Sequence, residues 1–114
     1  MSIKTERLGN VLLKEISNIL MTEIKDNDIK FVTITHVDLA SDLSFAKVYF
    51  TTLDNNNQDK ITKDLNEAKG FIRSVLMKRK IEMRIIPELR FVYDESIEYG
   101  NRIENIIQKI HKED

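Results

Sequence analysis

A chain of 114 residues with no cysteine excludes a disulfide scaffold, a thiol nucleophile and a cysteine-ligated zinc site, and it fits a reducing compartment. That length can bury a core without such staples, and the hydrophobic content is ordinary for a globular protein. The net charge of −1 hides a segregation: six bases against one acid from Lys69 to Arg84, then six acids against three bases from Asp94 onward.

The polar N-terminus MSIKTERLGN reads as neither a signal peptide nor a membrane anchor, and the apolar runs are far too short to span a bilayer, so a cytoplasmic location is expected. Leu8, Leu12, Ile16, Ile19, Leu20 and Ile24 recur at helical spacing, which predicts an amphipathic helix over residues 4–24. Asp26-Asn27-Asp28 ends it in a turn. FVTITHVDL (31–39) is rich in β-branched residues and reads as a strand. Its apolar phase changes between Ile34 and Val37, so a bulge is expected near His36. Ala40-Ser41-Asp42 turns the chain into a second strand, LSFAKVYFTTL (43–53), with Ala46, Val48 and Phe50 on one face. The two strands form an antiparallel hairpin.

Asp54-Asn55-Asn56-Asn57 is a loop, and Asn57 or Asp59 is placed to cap a helix carrying Ile61, Leu65 and Ala68. Beyond Gly70 the helical period resumes with Ile72, Val75 and Leu76. Pro87 precedes a third strand, ELRFVYD (88–94), with Leu89, Phe91 and Tyr93 on one side. Ser96 then caps a last helix striped by Tyr99, Ile103, Ile106, Ile107 and Ile110. The order helix-strand-strand-helix-kink-helix-strand-helix predicts an α+β domain: a three-stranded sheet with helices on one face.

A glycine inside a helix costs about 1 kcal/mol relative to alanine. Gly70 is therefore expected to mark a kink where two helices meet and backbones approach closely, a kink that Gly70→Ala would strain or straighten. At about 100° per residue, Lys69, Arg73 and Lys80 share a narrow sector beside the apolar arc of Ile72, Val75 and Leu76. The helix after the kink thus has a buried face and a cationic edge. Any one lysine is explained by solvation, but six bases beside a backbone break favour a polyanion. Backbone N–H groups at the helix start and the row of cations suit phosphates better than bases.

The element order and the stretches FVTITHVDLASDLSFAKVYF (31–50), AKGFIR (68–73), IIPELRFVYDES (85–96) and IEYGNRI (97–103) resemble the ribosome-binding factor A family, a type II KH-like fold. In that family an interrupted Ala-x-Gly, here Ala68-Lys69-Gly70, stands in place of the GxxG loop of other K-homology domains. The resemblance covers nearly the whole chain. It implies one KH-like RNA-binding domain over residues 1–114. It further implies a non-catalytic factor that binds the immature 30S subunit in late maturation of 16S rRNA, including its 5′ end, and that matters most in the cold. Matched by position, Ala68 and Gly70 take the kink role, and Lys69 and Arg73, with Lys78, Arg79, Lys80 and Arg84, the rRNA-facing role. Arg7 on the first helix matches a further basic position. The expected partners are 16S rRNA and free 30S subunits, with the protein a monomer needing no cofactor, membrane or small-molecule substrate. The chain departs from the family at Asp26-Asn27-Asp28-Ile29-Lys30, where relatives carry an Asp-Pro-Arg-like turn, and at His36, where an acid is common.

Two other classes compete. A small phosphate-handling α+β enzyme such as an acylphosphatase begins with a strand, whereas this chain begins with a helix. His36 and His111 have no nucleophile–base partner, and no Walker A, G-x-G-x-x-G or HExxH motif is present. A protein-interaction module would use the Tyr99 and isoleucine stripe, which is more simply the part of the last helix that covers the sheet. Phe45 and Tyr49 fit base stacking or edge packing equally well.

Overall fold

A computed structural model describes residues 3–26, 29–52 and 57–95. Helix α1 (Ile3–Thr22) leads through a short 3-10 turn at Ile29–Phe31 into the hairpin of β1 (Val32–Leu39) and β2 (Phe45–Thr52). Helices α2 (Gln58–Glu67) and α3 (Lys69–Lys78) then carry the chain to β3 (Glu88–Tyr93). The last predicted helix, from Ser96 through Ile110, lies outside the described residues.

The sheet is mixed, in the order β1-β2-β3, with β1 antiparallel and β3 parallel to the central strand. A parallel neighbour needs a crossover of a dozen residues or more, and α2 with α3 supplies it. Alternation decides the faces. Ala46, Val48 and Phe50 of β2 and Leu89, Phe91 and Tyr93 of β3 are buried, and the ring of Tyr93 meets Phe50 edge-on at 5.7 Å. On β1 the buried set shifts phase, from Ile34 to Val37 and Leu39, because the register slips between Ile34 and His36. Thr35 is the extra residue of this bulge, and its hydroxyl donates to Asp94 Oδ2 at 2.6 Å.

The helices close the apolar face. Leu8, Leu12, Ile16, Ile19 and Leu20 of α1 are fully covered, as are Ile61 and Leu65 of α2 and Ile72 and Leu76 of α3. Alpha-1 lies so close to β1 that a Cβ at Gly9 would stand 3.2 Å from the Val37 carbonyl oxygen. The opposite sheet face, with Thr33, His36, Asp38, Lys47, Glu88 and Arg90, is exposed.

Three local expectations need correction. Beta-2 begins at Phe45 rather than at Leu43, because Leu43 adopts φ 65° and donates its N–H to Ala40 O at 2.9 Å. The Leu43 side chain packs on the core, which offsets that backbone conformation. The Ser44 hydroxyl and amide both donate to Asp42, holding its carboxyl below the usual carboxylate range. Asn57 occupies the N-cap position of α2, yet its side chain makes no capping hydrogen bond there. Finally, Ile24 lies beyond the end of α1, though it still packs against the core.

Candidate nucleic-acid interface

The interruption between the central helices falls at Ala68, which serves as C-cap of α2 and N-cap of α3. Its φ of −85° and ψ of −3° stay in the right-handed region, and its N–H is shared between Asp64 O and Leu65 O, both at 3.1 Å. The break is thus a loosened turn. Gly70 is not its pivot: it sits inside the first turn of α3, and no glycine among the described residues has a positive φ. A Cβ at Gly70 would meet no atom within 4 Å, so the fold itself makes no use of the missing side chain.

Alpha-3, KGFIRSVLMK, contains no acid, whereas α2 interleaves its lysines with carboxylates in Lys60–Asp64 and Lys63–Glu67 pairs at 3.9 and 4.0 Å. Salt bridges of that exposed kind contribute little to stability, but they cancel the local field. On α3 the field is left standing.

The seven basic positions singled out by sequence divide into two groups. Arg7 pairs with Glu82, Arg79 reaches Glu15 of α1 at 3.0 Å and Glu23, just past the end of α1, at 3.6 Å, and Arg73 donates through Nη2 to the Ile86 carbonyl at 3.0 Å. These three arginines are tied to the fold, so the expected outward row of Lys69, Arg73 and Lys80 does not form as drawn. Lys69, Lys78, Lys80 and Arg84 are exposed, and their side chains have no hydrogen-bond or ion-pair partner among the described residues. Lys80 also lies past the end of the helix. Arg79 is the C-cap, and Lys80 follows with φ 50°, its N–H donating to Met77 O at 3.3 Å.

Two clefts flank α3. One of about 420 Å³ lies between the end of the helix and the 81–86 segment, with Lys80, Arg84, Met77 and Ile85 on its walls. The other, about 260 Å³, lies between the helix break and the edge of β3 and is lined by Asn66, Lys69, Gly70, Glu88 and Leu89. Arg73 borders both, and its Nε is buried without a partner among the described residues. A third cleft of about 670 Å³ opens on the sheet, where His36 and Tyr49 lie 5.9 Å apart beside Asp38, Asp94 and Glu95. Its carboxylates make the lining of that cleft acidic. Among the described residues, no group of three or more His, Asp or Glu is arranged to hold a metal. No described helix is long and apolar enough to cross a membrane.

Sequence reasoning missed Asn66. Its side chain accepts from Phe91 N–H at 2.9 Å and donates to Phe91 O at 3.1 Å, pairing with the free edge of β3 as a strand would. It also missed Phe71 and Met77, which are exposed on α3. The helical wheel could have found Phe71, which stands about 100° from Ile72 and about 140° from Leu76, off the buried arc.

The profile of the family described as ribosome-binding factor A matches residues 4–107. Ribosome-binding factor A of Staphylococcus epidermidis is 51% identical over 114 residues, covering 99% of this chain and 97% of the relative. Among solved structures, the crystal structure of ribosome-binding factor A from Thermus thermophilus shares the fold with a TM-score of 0.70 at 21% identity, over 78% of this chain and 94% of that one. Coordinates of the Thermus thermophilus factor fitted into a cryo-EM map of a 30S complex give a TM-score of 0.65 at 21% identity, over 80% of this chain and 96% of that one.

Proposed function

The chain belongs to the ribosome-binding factor A family, and from that premise we propose that it is a non-catalytic assembly factor that binds the immature 30S subunit through its 16S rRNA. In this reading residues 1–114 act as one KH-like RNA-binding unit, as a monomer in the cytoplasm and without a cofactor. The step served is late maturation of 16S rRNA, including its 5′ end, with most weight at low temperature. The Thermus thermophilus protein of the same fold, described in a 30S complex, supports the choice of partner.

The observation that carries the reading is the pairing pattern of the cations. Lys69, Lys78, Lys80 and Arg84 stay exposed and without internal partners among the described residues, on an acid-free helix and the turn after it, while Arg7, Arg73 and Arg79 hold the scaffold. Such groups neutralise phosphates, and the counterions released from the RNA drive association. Arg84 and Lys80 at one cleft and Lys69 at the other set two phosphate-binding margins about one helix length apart.

The test is sedimentation of cell extract at low and moderate salt. The protein is expected to travel with free small subunits and not with translating ribosomes. Joint reversal of Lys69, Lys78 and Lys80 to glutamate is expected to release it while the fold stays intact. Cosedimentation of that triple variant at the wild-type level would remove these lysines from the interface.

A further inference from the structure

The outward side of α3 is apolar where a solvated helix would carry charge. Phe71 is 48% exposed and Met77 60% exposed, and beside them stand Gly70, with open space where a Cβ would be, and Ser74. The Ser74 hydroxyl is folded back onto the Phe71 carbonyl oxygen at 2.7 Å, so it offers little polarity to the outside. Phe71, Ser74 and Lys78 recur at i, i+3 and i+7 and therefore share one side of the helix. The Phe71 ring packs on no other aromatic ring among the described residues and lines neither of the clefts that flank α3.

We infer that this side of α3 is a stacking shelf for an unpaired base of single-stranded RNA, with the Phe71 ring as the platform and Lys78, on the same side of the helix, holding a phosphate beside it. The inference rests on the RNA-binding reading above and deepens it by naming the strandedness of the ligand. Two observations select the occupant. The first is charge: a ligand that covers Phe71 lies against Lys78, which stands about 20° from it on the wheel of a helix without an acid, and this favours a polyanion. The second is the exposed aromatic ring, which offers an unpaired base a stacking partner. Duplex RNA keeps its bases stacked inside the helix, whereas a single strand presents them to aromatic side chains. The absence of a Cβ at Gly70 leaves room for the sugar beside the ring.

The chain has no tryptophan, so Phe71→Trp introduces a single fluorescent reporter at the proposed platform. The full-length variant is titrated with a short mixed-sequence single-stranded RNA, with the same strand annealed to its complement, and with purified small subunits. Stacking is expected to quench the indole with the single strand and with subunits, and to leave it unchanged with the duplex. Phe71→Ala and Phe71→Leu are both expected to weaken single-strand binding, by roughly 5- to 150-fold for one lost base stack. Phe71→Leu binding like wild type would overturn the inference, because apolar contact with a protein surface survives that change and stacking does not. No quench, together with loss of binding on Lys69→Glu and Lys78→Glu, would overturn the shelf and leave the phosphate-binding reading standing. Insensitivity to both sets of changes would overturn both.

Discussion

Lys80 occupies a backbone position that glycine fills at lower cost. At φ 50° an L-residue presses its Cβ toward the next carbonyl, at about 1–2 kcal/mol, and helices commonly resolve this with glycine just past the C-cap. The other positive-φ residue among those described, Leu43, is offset by packing on the core, but Lys80 is exposed and gains nothing of the kind. Lys80→Gly is therefore expected to raise stability by about 1 kcal/mol in chemical denaturation while lowering affinity for small subunits. A variant gaining in both would show that the lysine is there by drift. Gly70 is the converse case. Alanine in its place meets nothing in the fold and recovers about 1 kcal/mol of helix propensity, so the kink is neither strained nor straightened. Denaturation of Gly70→Ala should show that gain, and subunit binding should fall, because only something approaching from outside can collide with the new methyl.

At the scale of elements, β3 is an edge strand, and unpaired edges invite pairing with other chains. The Asn66 amide, just before the helix break, takes both Phe91 backbone groups and so joins the end of α2 to that edge. Asn66→Ala strands a donor and an acceptor and is expected to cost about 1–3 kcal/mol. Asn66→Asp should fall between, since it keeps the acceptor for Phe91 N–H and faces Phe91 O with no donor; thermal melts of the three proteins order them. The strands and their buried faces were legible in the sequence because a period of two, and the slip in it at Thr35, is written in consecutive residues. The helix break was legible to within two residues. Asn66 was not, because its partner lies 25 positions away and is brought to it only by the crossover. The same holds for Arg79, whose partner Glu15 is 64 positions distant. Counting charges along the chain ranks Arg79 with Lys78 and Lys80, whereas packing α3 beside α1 removes it from the outward set. Nor does any local pattern announce that Lys80 turns to positive φ, since the glycine that would mark such a cap is absent.

Across the whole molecule the two groups of cations make a quantitative difference. Each phosphate neutralised contributes about −0.7 to −0.9 to the slope of log affinity against log salt. If only Lys69, Lys78, Lys80 and Arg84 meet RNA, the slope is about −2.8 to −3.6, and affinity falls roughly 50- to 150-fold between 50 and 200 mM salt. If Arg7, Arg73 and Arg79 left their partners to join them, seven contacts would give about −4.9 to −6.3. Leaving is unfavourable. Arg79 would abandon two carboxylates, and Arg73 would strand the Ile86 carbonyl beside an Nε that is already buried. The acidic cleft around Asp38, Asp94 and Glu95 opens on the sheet face away from the helices. Its repulsion acts on the orientation of approach, which is a rate effect, more than on the number of phosphates bound. A titration of small subunits with the protein over that salt range is thus expected to give a slope of about −3. It should become shallower by about one contact's worth for each of the four free cations replaced by glutamine, and stay unchanged for Arg79→Met. A wild-type slope of about −6, or a shallower one for Arg79→Met, would mean that the scaffold arginines let go of α1 and the 81–86 segment when RNA binds.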